Sequence, residues 1–468
     1  MRIRKEFVKK GEFWLPSNPD KKIAGTLTIT DGGDIELEVI GLFGNEDDFL
    51  KRVDGLSRIL GNIEEHGLVT LDNCFYRTWN IALAGGVSQS RISAHRAYCG
   101  IAYGEKEAPS FNTFSFSVEG IDEWVGITGI RAEVQLEPLS AKIGYAPPQE
   151  ITINLNNDMT LLIGFSWTLP GSPIIKEAKI TQSTYFKLTS SEKRELYDFI
   201  SAAHKITNLL CFAIDETVSI ENATGTSDDI QVDIGNGRQR PVQIKIYYPS
   251  LPFSKKEPKI DIYAMLFRFV QKQQDGDRIF NNWFRTYDEV GTALNLYFST
   301  QTDAHKYHSG QFLALAQGFE TYHRKMSDET YMDKTEFNNL VDALISICPE
   351  DKKEWLSRRL AYANEVSFRY RAKKVIEPFR SYLETNQERE ELITKLINSI
   401  TDTRNYLTHY DEGLKHKAAA GRDLWILCNR MEAIFQLHFL QRLGFTEEEI
   451  KAIVNRNSYL KRKLSAEQ

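Results

Sequence analysis

The period at which apolar residues recur changes along this chain, and that change constrains its fold more than any other feature. In TLTITDGGDIELEVI (26–40), Leu27 and Ile29 alternate with Thr26, Thr28 and Thr30. Gly32-Gly33 then permits a tight turn, and Ile35, Leu37 and Val39 alternate in the returning segment. This is the two-residue period of a β-hairpin. Further strands are expected at 67–71, 111–118, 151–155, 160–169 and 174–188, with turn residues between them, as in a sandwich or elaborated barrel. In TSSEKRELYDFISAAHKITNLLCFA (189–213) the period becomes helical. Leu196, Phe199, Ile200, Ala203 and Leu210 carry it, and Thr189 with Glu192 has the form of a capping box. Short strands are expected at 216–221 and 242–248, around a polar, glycine-rich surface loop at 221–241. The G-N-G of that loop is not followed by G-K-[ST], so it is no phosphate loop.

From about residue 260 onward the helical period dominates. Helices are expected at 277–298, 304–326, 334–347, 351–384 (interrupted), 388–410, 421–443 and 447–455. Gly444 suits a helix stop, and Thr446 with Glu449 suits a capping box for the last helix. A chain of 468 residues is too long for one ordinary core. The expected class is therefore α+β and multidomain. A β-rich sandwich-like or barrel-like domain (1–190) leads to a mixed α/β connecting segment packed on it (191–260) and an all-α helical bundle (261–468).

The net charge of −6 argues against a general nucleic-acid coat, but it is unevenly spread. Residues 1–300 hold about 32 basic and 39 acidic groups, and residues 301–468 about 26 and 25. The C-terminal part is thus near neutral with local basic clusters, enough for an enzyme that meets RNA transiently. The opening MRIRKEFVKKGEFW is basic but leads into no apolar run, so no secretion signal is expected. No apolar run approaches a membrane span. Five scattered cysteines without a C-x-x-C pair fit reduced, mostly buried thiols of a cytosolic, cytoplasmic protein.

The chemistry concentrates in TDTRNYLTHYDEG (401–413). Leu392, Leu396, Ile397 and Ile400 form an apolar stripe leading into it. Asn405 and His409 are four apart and share a helix face, whereas Arg404 and His409 are about 140° apart on an ideal helix. Convergence of those two requires a helix end, a reaching arginine or a second copy across a two-fold axis. The residue types suit RNA cleavage without a metal or other cofactor. A histidine can move a proton between the 2′-hydroxyl, or the leaving 5′-oxygen, and solvent. A guanidinium can hold two phosphate oxygens as charge gathers in the transition state, and asparagine can fix a neighbour without adding charge.

R-N-x-x-x-H, late in an all-α region and followed by a long amphipathic helix, resembles the R-x(4–6)-H motif of HEPN ribonucleases. GEFWLPSNPDKKIAGTLTI (11–29) is similar to the opening of the N-terminal domain of ApeA-like anti-phage HEPN proteins. The resemblance implies an RNase site with Arg404, Asn405 and His409 as the catalytic set, composed by a homodimer through the helical domain. It also implies abortive-infection defence with cellular RNA, often tRNA, as target. An alternative is a non-catalytic HEPN interaction module whose N-terminal half binds a protein or saccharide.

QFLALAQGFETYHRKM (311–326) places Phe312, Leu315 and Phe319 at helical spacing, with Glu320 and His323 near that face as accessory candidates for orienting the motif. Lys415, His416, Lys417 and Arg422 follow the motif and are candidates for weak RNA-phosphate contacts. His305 and His308 are spaced for a metal pair, but no H-E-x-x-H or cysteine partner accompanies them, so no metal site is expected. Glu64, Glu65 and His66 suit a solvated turn. The β-rich half holds no catalytic constellation. A toxic nuclease needs restraint, and a large appended region is where a phage-derived trigger could be sensed.

Overall fold

The computed structural model of the chain describes residues 1–43, 55–80, 87–156, 158–172, 176–302, 305–383 and 389–465. Residues 174–175, 304, 384 and 388, at the ends of expected elements, lie outside the described residues. Two compact units emerge, Met1–Asn281 and Asn282–Gln468.

The first unit begins with strands β1 (Phe7–Leu15), β2 (Asn18–Ile29), β3 (Ile35–Val39), β4 (Gly55–Ile63), β5 (Gly67–Asn80) and β6 (Gln89–Cys99). They bond in the order β6-β3-β2-β1-β4-β5, and β5 pairs back onto β6. The result is a closed, six-stranded antiparallel barrel, which satisfies edge strands internally. The β2–β3 hairpin has Leu27 opposite Leu37 and Ile29 opposite Ile35. Period-two alternation therefore sends all four inward, where they are buried with Phe13, Ile59, Val69, Leu71 and Ile92. Gly33 makes the turn at φ +88°, and a Cβ there would lie 2.2 Å from the Tyr248 carbonyl oxygen, so only glycine fits.

Strands β1, β4 and β6 escape the sequence reading. In β6 the reason is its position. One edge pairs with β5, and the other pairs with β3 through Ser90–Ala94 and then with another strand through Ala97–Cys99. A strand flanked on both sides and buried over much of its length loses clean alternation.

After the barrel come β7 (Ser110–Val118), helix α1 (Ile121–Val125) and the hairpin β8–β9 (Ile130–Gln135, Ser140–Tyr145). Next are β10 (Ile151–Asn154), β11 (Met159–Thr168), β12 (Thr181–Glu195) and helix α2 (Leu196–Ile214). Then follow β13 (Ile220–Thr226), the small hairpin β14–β15 (Gln231–Asp233, Gln239–Pro241) and β16 (Ile244–Tyr247). From β6 the sheet continues through β16, β13, β7, β12, β11 and β10. Helix α2 buries Leu196, Phe199, Ala203 and Leu210, and the Phe199 ring stacks 6.1 Å from Phe114 of β7. The capping box expected at Thr189 and Glu192 does not form. Thr189 pairs with Thr113 and Arg194 with Phe111 in the ladder to β7, and α2 starts only at Leu196 with no side-chain cap. Cross-strand bonding to a distant partner overrides the local signal. The segment 221–241 is likewise not only loop, since it carries most of β13 and the β14–β15 hairpin.

The second unit is helical. Helix α3 (Gly276–Gln301) carries the division between units and breaks helical dihedrals at Val290. It is followed by α4 (His308–Met326), α5 (Lys334–Ser346), α6 (Lys353–Leu360), α7 (Phe368–Ile376), α8 (Arg380–Leu383), α9 (Arg389–His409), α10 (Gly421–Leu443), α11 (Glu447–Arg456) and α12 (Ser458–Leu464). The interrupted helix expected at 351–384 is thus three helices. Helix α10 is buried nearly all round through Leu427, Met431, Ile434, Phe435, Leu437, Phe439 and Leu440, the pattern of a bundle's central helix. Helix α4 packs on α10, α7 and α9, with Phe319 and Phe435 edge to face at 4.9 Å. Gly444 ends α10 at φ +92°, and Thr446 with Glu449 forms the expected capping box at α11. No helix among the described residues is long and apolar enough to cross a membrane. All five cysteines are free, and four of them are buried.

Candidate active site

Leu396, Ile397 and Ile400 bury one side of α9, and Thr403 continues that buried side into the motif. Leu392, a turn earlier, remains exposed. The helix ends just after His409, where Tyr410 takes the left-handed conformation at φ +53° and its N–H bonds to the Tyr406 carbonyl at 2.8 Å. His409 is therefore the last helical residue. Its side chain is exposed and makes no hydrogen bond or ion pair among the described residues.

Arg404, by contrast, is held from several directions. Its Nη1 donates to Asn405 Oδ1 at 3.3 Å, and its Nη2 lies 3.9 Å from Glu320 Oε2 on α4. The guanidinium also sits over the Phe368 ring of α7, 5.4 Å from its centroid. Glu320 Oε1 accepts from Arg324 at 3.0 Å, and Arg324 pairs with Glu365 at 2.5 Å. A guanidinium fixed in orientation, with a polar face still part-exposed, suits a phosphate contact.

Of the two accessory candidates on α4, Glu320 meets the motif and His323 faces elsewhere. Arg371 Nη1 lies 3.2 Å from His323 Nδ1, and Glu329 Oε2 lies 3.5 Å from Nε2. Arginine can only donate, so Nδ1 accepts and the ring proton resides on Nε2, facing Glu329. Burial first, then the Arg371 charge, holds the His323 pKa below its ordinary value. Both ring nitrogens are thus engaged within this network.

Lys415, His416 and Lys417 lie on an exposed loop, which returns to α9 where the Ala419 N–H bonds to Thr403 Oγ1 at 2.9 Å, and Arg422 lies in the first turn of α10. Lys415 pairs with Glu412 at 3.4 Å, whereas Lys417 and Arg422 are exposed with no acidic partner among the described residues. His305 Nε2 lies 3.3 Å from Ser299 Oγ, and His308 Nδ1 lies 3.2 Å from Gln311 Oε1. Glu65 pairs with Lys9, and the His66 ring stacks on Phe7 at 5.2 Å. Among the described residues no three His, Cys, Asp or Glu side chains gather where they could hold a metal ion. Phe368 escapes the sequence reading, since no local pattern marks a side chain that meets the motif only across the bundle.

No curated protein and no solved structure matches the chain. Family comparison matches residues 8–283 to ApeA N-terminal domain 1 and residues 313–449 to the Apea-like HEPN domain. The first match covers more than half of the chain, and the second contains α9 with Arg404 and His409. The chain belongs to the ApeA-like family of anti-phage HEPN proteins.

Proposed function

We propose that this protein is a metal-independent endoribonuclease that cuts cellular RNA, tRNA foremost, in the cytoplasm during abortive infection. The observation that carries this reading is that α9 presents an exposed His409, with no hydrogen bond or ion pair among the described residues, and an Arg404 in contact with Glu320, Asn405 and Phe368. In this reaction a substrate 2′-oxygen attacks the adjacent phosphorus while the bond to the 5′-oxygen breaks. One group accepts the 2′-hydroxyl proton and another supplies a proton to the 5′-oxygen, leaving a 2′,3′-cyclic phosphate and a 5′-hydroxyl. His409 performs such transfers, and Arg404 stabilises the charge on the phosphoryl oxygens. Arg404 and His409 lie about 140° apart around an ideal helix, so a symmetric homodimer through the helical domain composes the site, with His409 and Arg404 contributed twice. Lys415, Lys417 and Arg422 add weak phosphate contacts. The N-terminal unit gates the nuclease by binding a phage-derived trigger differently in resting and active states.

The test is cleavage of tRNA by purified protein in EDTA. Wild type should cut and leave cyclic phosphate ends, His409→Ala should lose about 100-fold or more in rate, and DNA should stay intact because it lacks the nucleophile. Activity that disappears in EDTA and returns with added metal refutes the proposal. Absence of cutting by a well-folded dimer favours the interaction-module alternative.

A further inference from the structure

A cavity of about 810 Å³ opens in the helical unit between α7, α8 and the first half of α9. Its volume falls within the roughly 300–1,000 Å³ of pockets that hold small ligands. Ile393 and Ile397 line it from α9, and Arg369, Lys373, Arg380 and Tyr331 surround them. The three cations are exposed. Lys373 and Arg380 have no acidic partner among the described residues, and Arg369 is paired with the neutral side chain of Asn398. Tyr331 is anchored by its hydroxyl, which accepts the Ser367 N–H at 3.2 Å, while the residue is 59% exposed. An aromatic ring anchored at its polar end on a residue more than half exposed offers a surface for stacking. Apolar floor, aromatic wall and cationic rim are the combination that receives a nucleobase together with its phosphate.

Both walls lead to the motif. Around an ideal helix Ile393, Ile397 and Arg404 fall within about 40° of one another, and Arg404 lies about 10 Å beyond Ile397 along α9. On α7, Phe368, which carries the Arg404 guanidinium over its ring, immediately precedes Arg369. A stacked strand covers that distance in about three nucleotides at ~3.4 Å each, and an extended one in fewer.

We infer that this cavity binds an unpaired nucleotide of single-stranded RNA, within about three positions of the phosphate held at Arg404. The inference rests on the ribonuclease reading above and adds to it where the substrate strand runs and that it must be unpaired there. A base held in a duplex cannot turn into a side cavity, so the site selects loops and single strands. Glu377 and Glu390 also line the cavity and offer acceptors to base amines or ribose hydroxyls.

The probe is a short single strand of 2′-O-methyl RNA, which presents no free 2′-hydroxyl and is not cut, titrated by fluorescence anisotropy against the full-length protein. Tyr331→Ala and Lys373→Glu should each weaken binding about tenfold. Lys373→Ala should reduce the slope of log affinity against log salt by about 0.7. Lys461→Glu, the same charge change on α12 outside the cavity, should bind within about twofold of wild type. If wild type binds and both cavity variants bind equally well, the cavity inference is wrong, and continued cutting of unmodified tRNA by those variants leaves the nuclease reading intact. If wild type neither binds the probe nor cuts unmodified RNA, both readings fall.

Discussion

Glu320 on α4 stands between two arginines, 3.9 Å from Arg404 Nη2 through one oxygen and 3.0 Å from Arg324 through the other. It thus reaches a motif residue from a different helix. Both partners in the Arg404 pair are about a quarter exposed, so the pair adds on the order of 1 kcal/mol or less to folding. Its larger effect is on orientation. Glu320→Gln should lower kcat about tenfold through misalignment, without raising KM, because removing a negative charge does not weaken phosphate binding. Thermal stability should barely change. Steady-state kinetics with a tRNA substrate check this, and an unchanged kcat would show that Glu320 does not position Arg404.

Arg404→Ala should cost about 10²–10³-fold in rate, the range for loss of a donor to a charged transition state. Arg404→Lys should recover only part, since an ammonium lacks the planar two-pronged donor and stacks less well over Phe368. Light scattering should find both variants dimeric at assay concentration. An active monomer of wild type would remove the need for a two-fold site.

Phe13 of β1 pairs directly with Gly61 of β4, and a Cβ on Gly61 would lie 2.5 Å from the Phe13 ring. Phe13 is fully buried in the barrel and has nowhere to retreat. Gly61→Ala should destabilise the N-terminal unit by about 1–3 kcal/mol through overpacking, and Phe13→Leu added to it should recover part of that loss. Urea unfolding measures both, and a neutral Gly61→Ala would contradict the β1–β4 register.

His438 of α10 is buried with Nε2 2.8 Å from the Val375 carbonyl oxygen, and burial lowers its pKa from 6.5 to about 4. Below pH ~6.5 the unfolded chain binds this proton while the native helix bundle refuses it until about pH 4. Stability from this group is therefore complete above pH ~6.5 and declines as pH falls toward 4, by on the order of 3 kcal/mol in all. Urea unfolding of wild type and His438→Gln across that window should show a shallower loss in the variant. Equal slopes would mean that His438 is not held neutral.

Elements carried by local periodicity are legible in the chain alone. The 26–40 hairpin, the helix running to His409, the Gly444 stop and the Thr446–Glu449 capping box each depend on residues a few positions apart. Their energetics are local: apolar alternation, a left-handed glycine, a side chain reaching its own helix end. The motif belongs to this class too, since Arg404, Asn405 and His409 lie within six residues. What the tertiary structure alone decided is everything set by partners distant in sequence. The ladder to β7 converts a capping-box signal at Thr189 into strand, and the long-range β3–β6 and β1–β4 pairings turn a run of hairpins into a barrel. Glu320 and Phe368 meet Arg404 from two other helices, and Tyr331 faces a cavity built by α7, α8 and α9. Such contacts exist only once the chain has closed on itself, because side chains far apart in sequence become neighbours through burial of their helices and strands, and no local pattern of residues encodes which neighbours those will be.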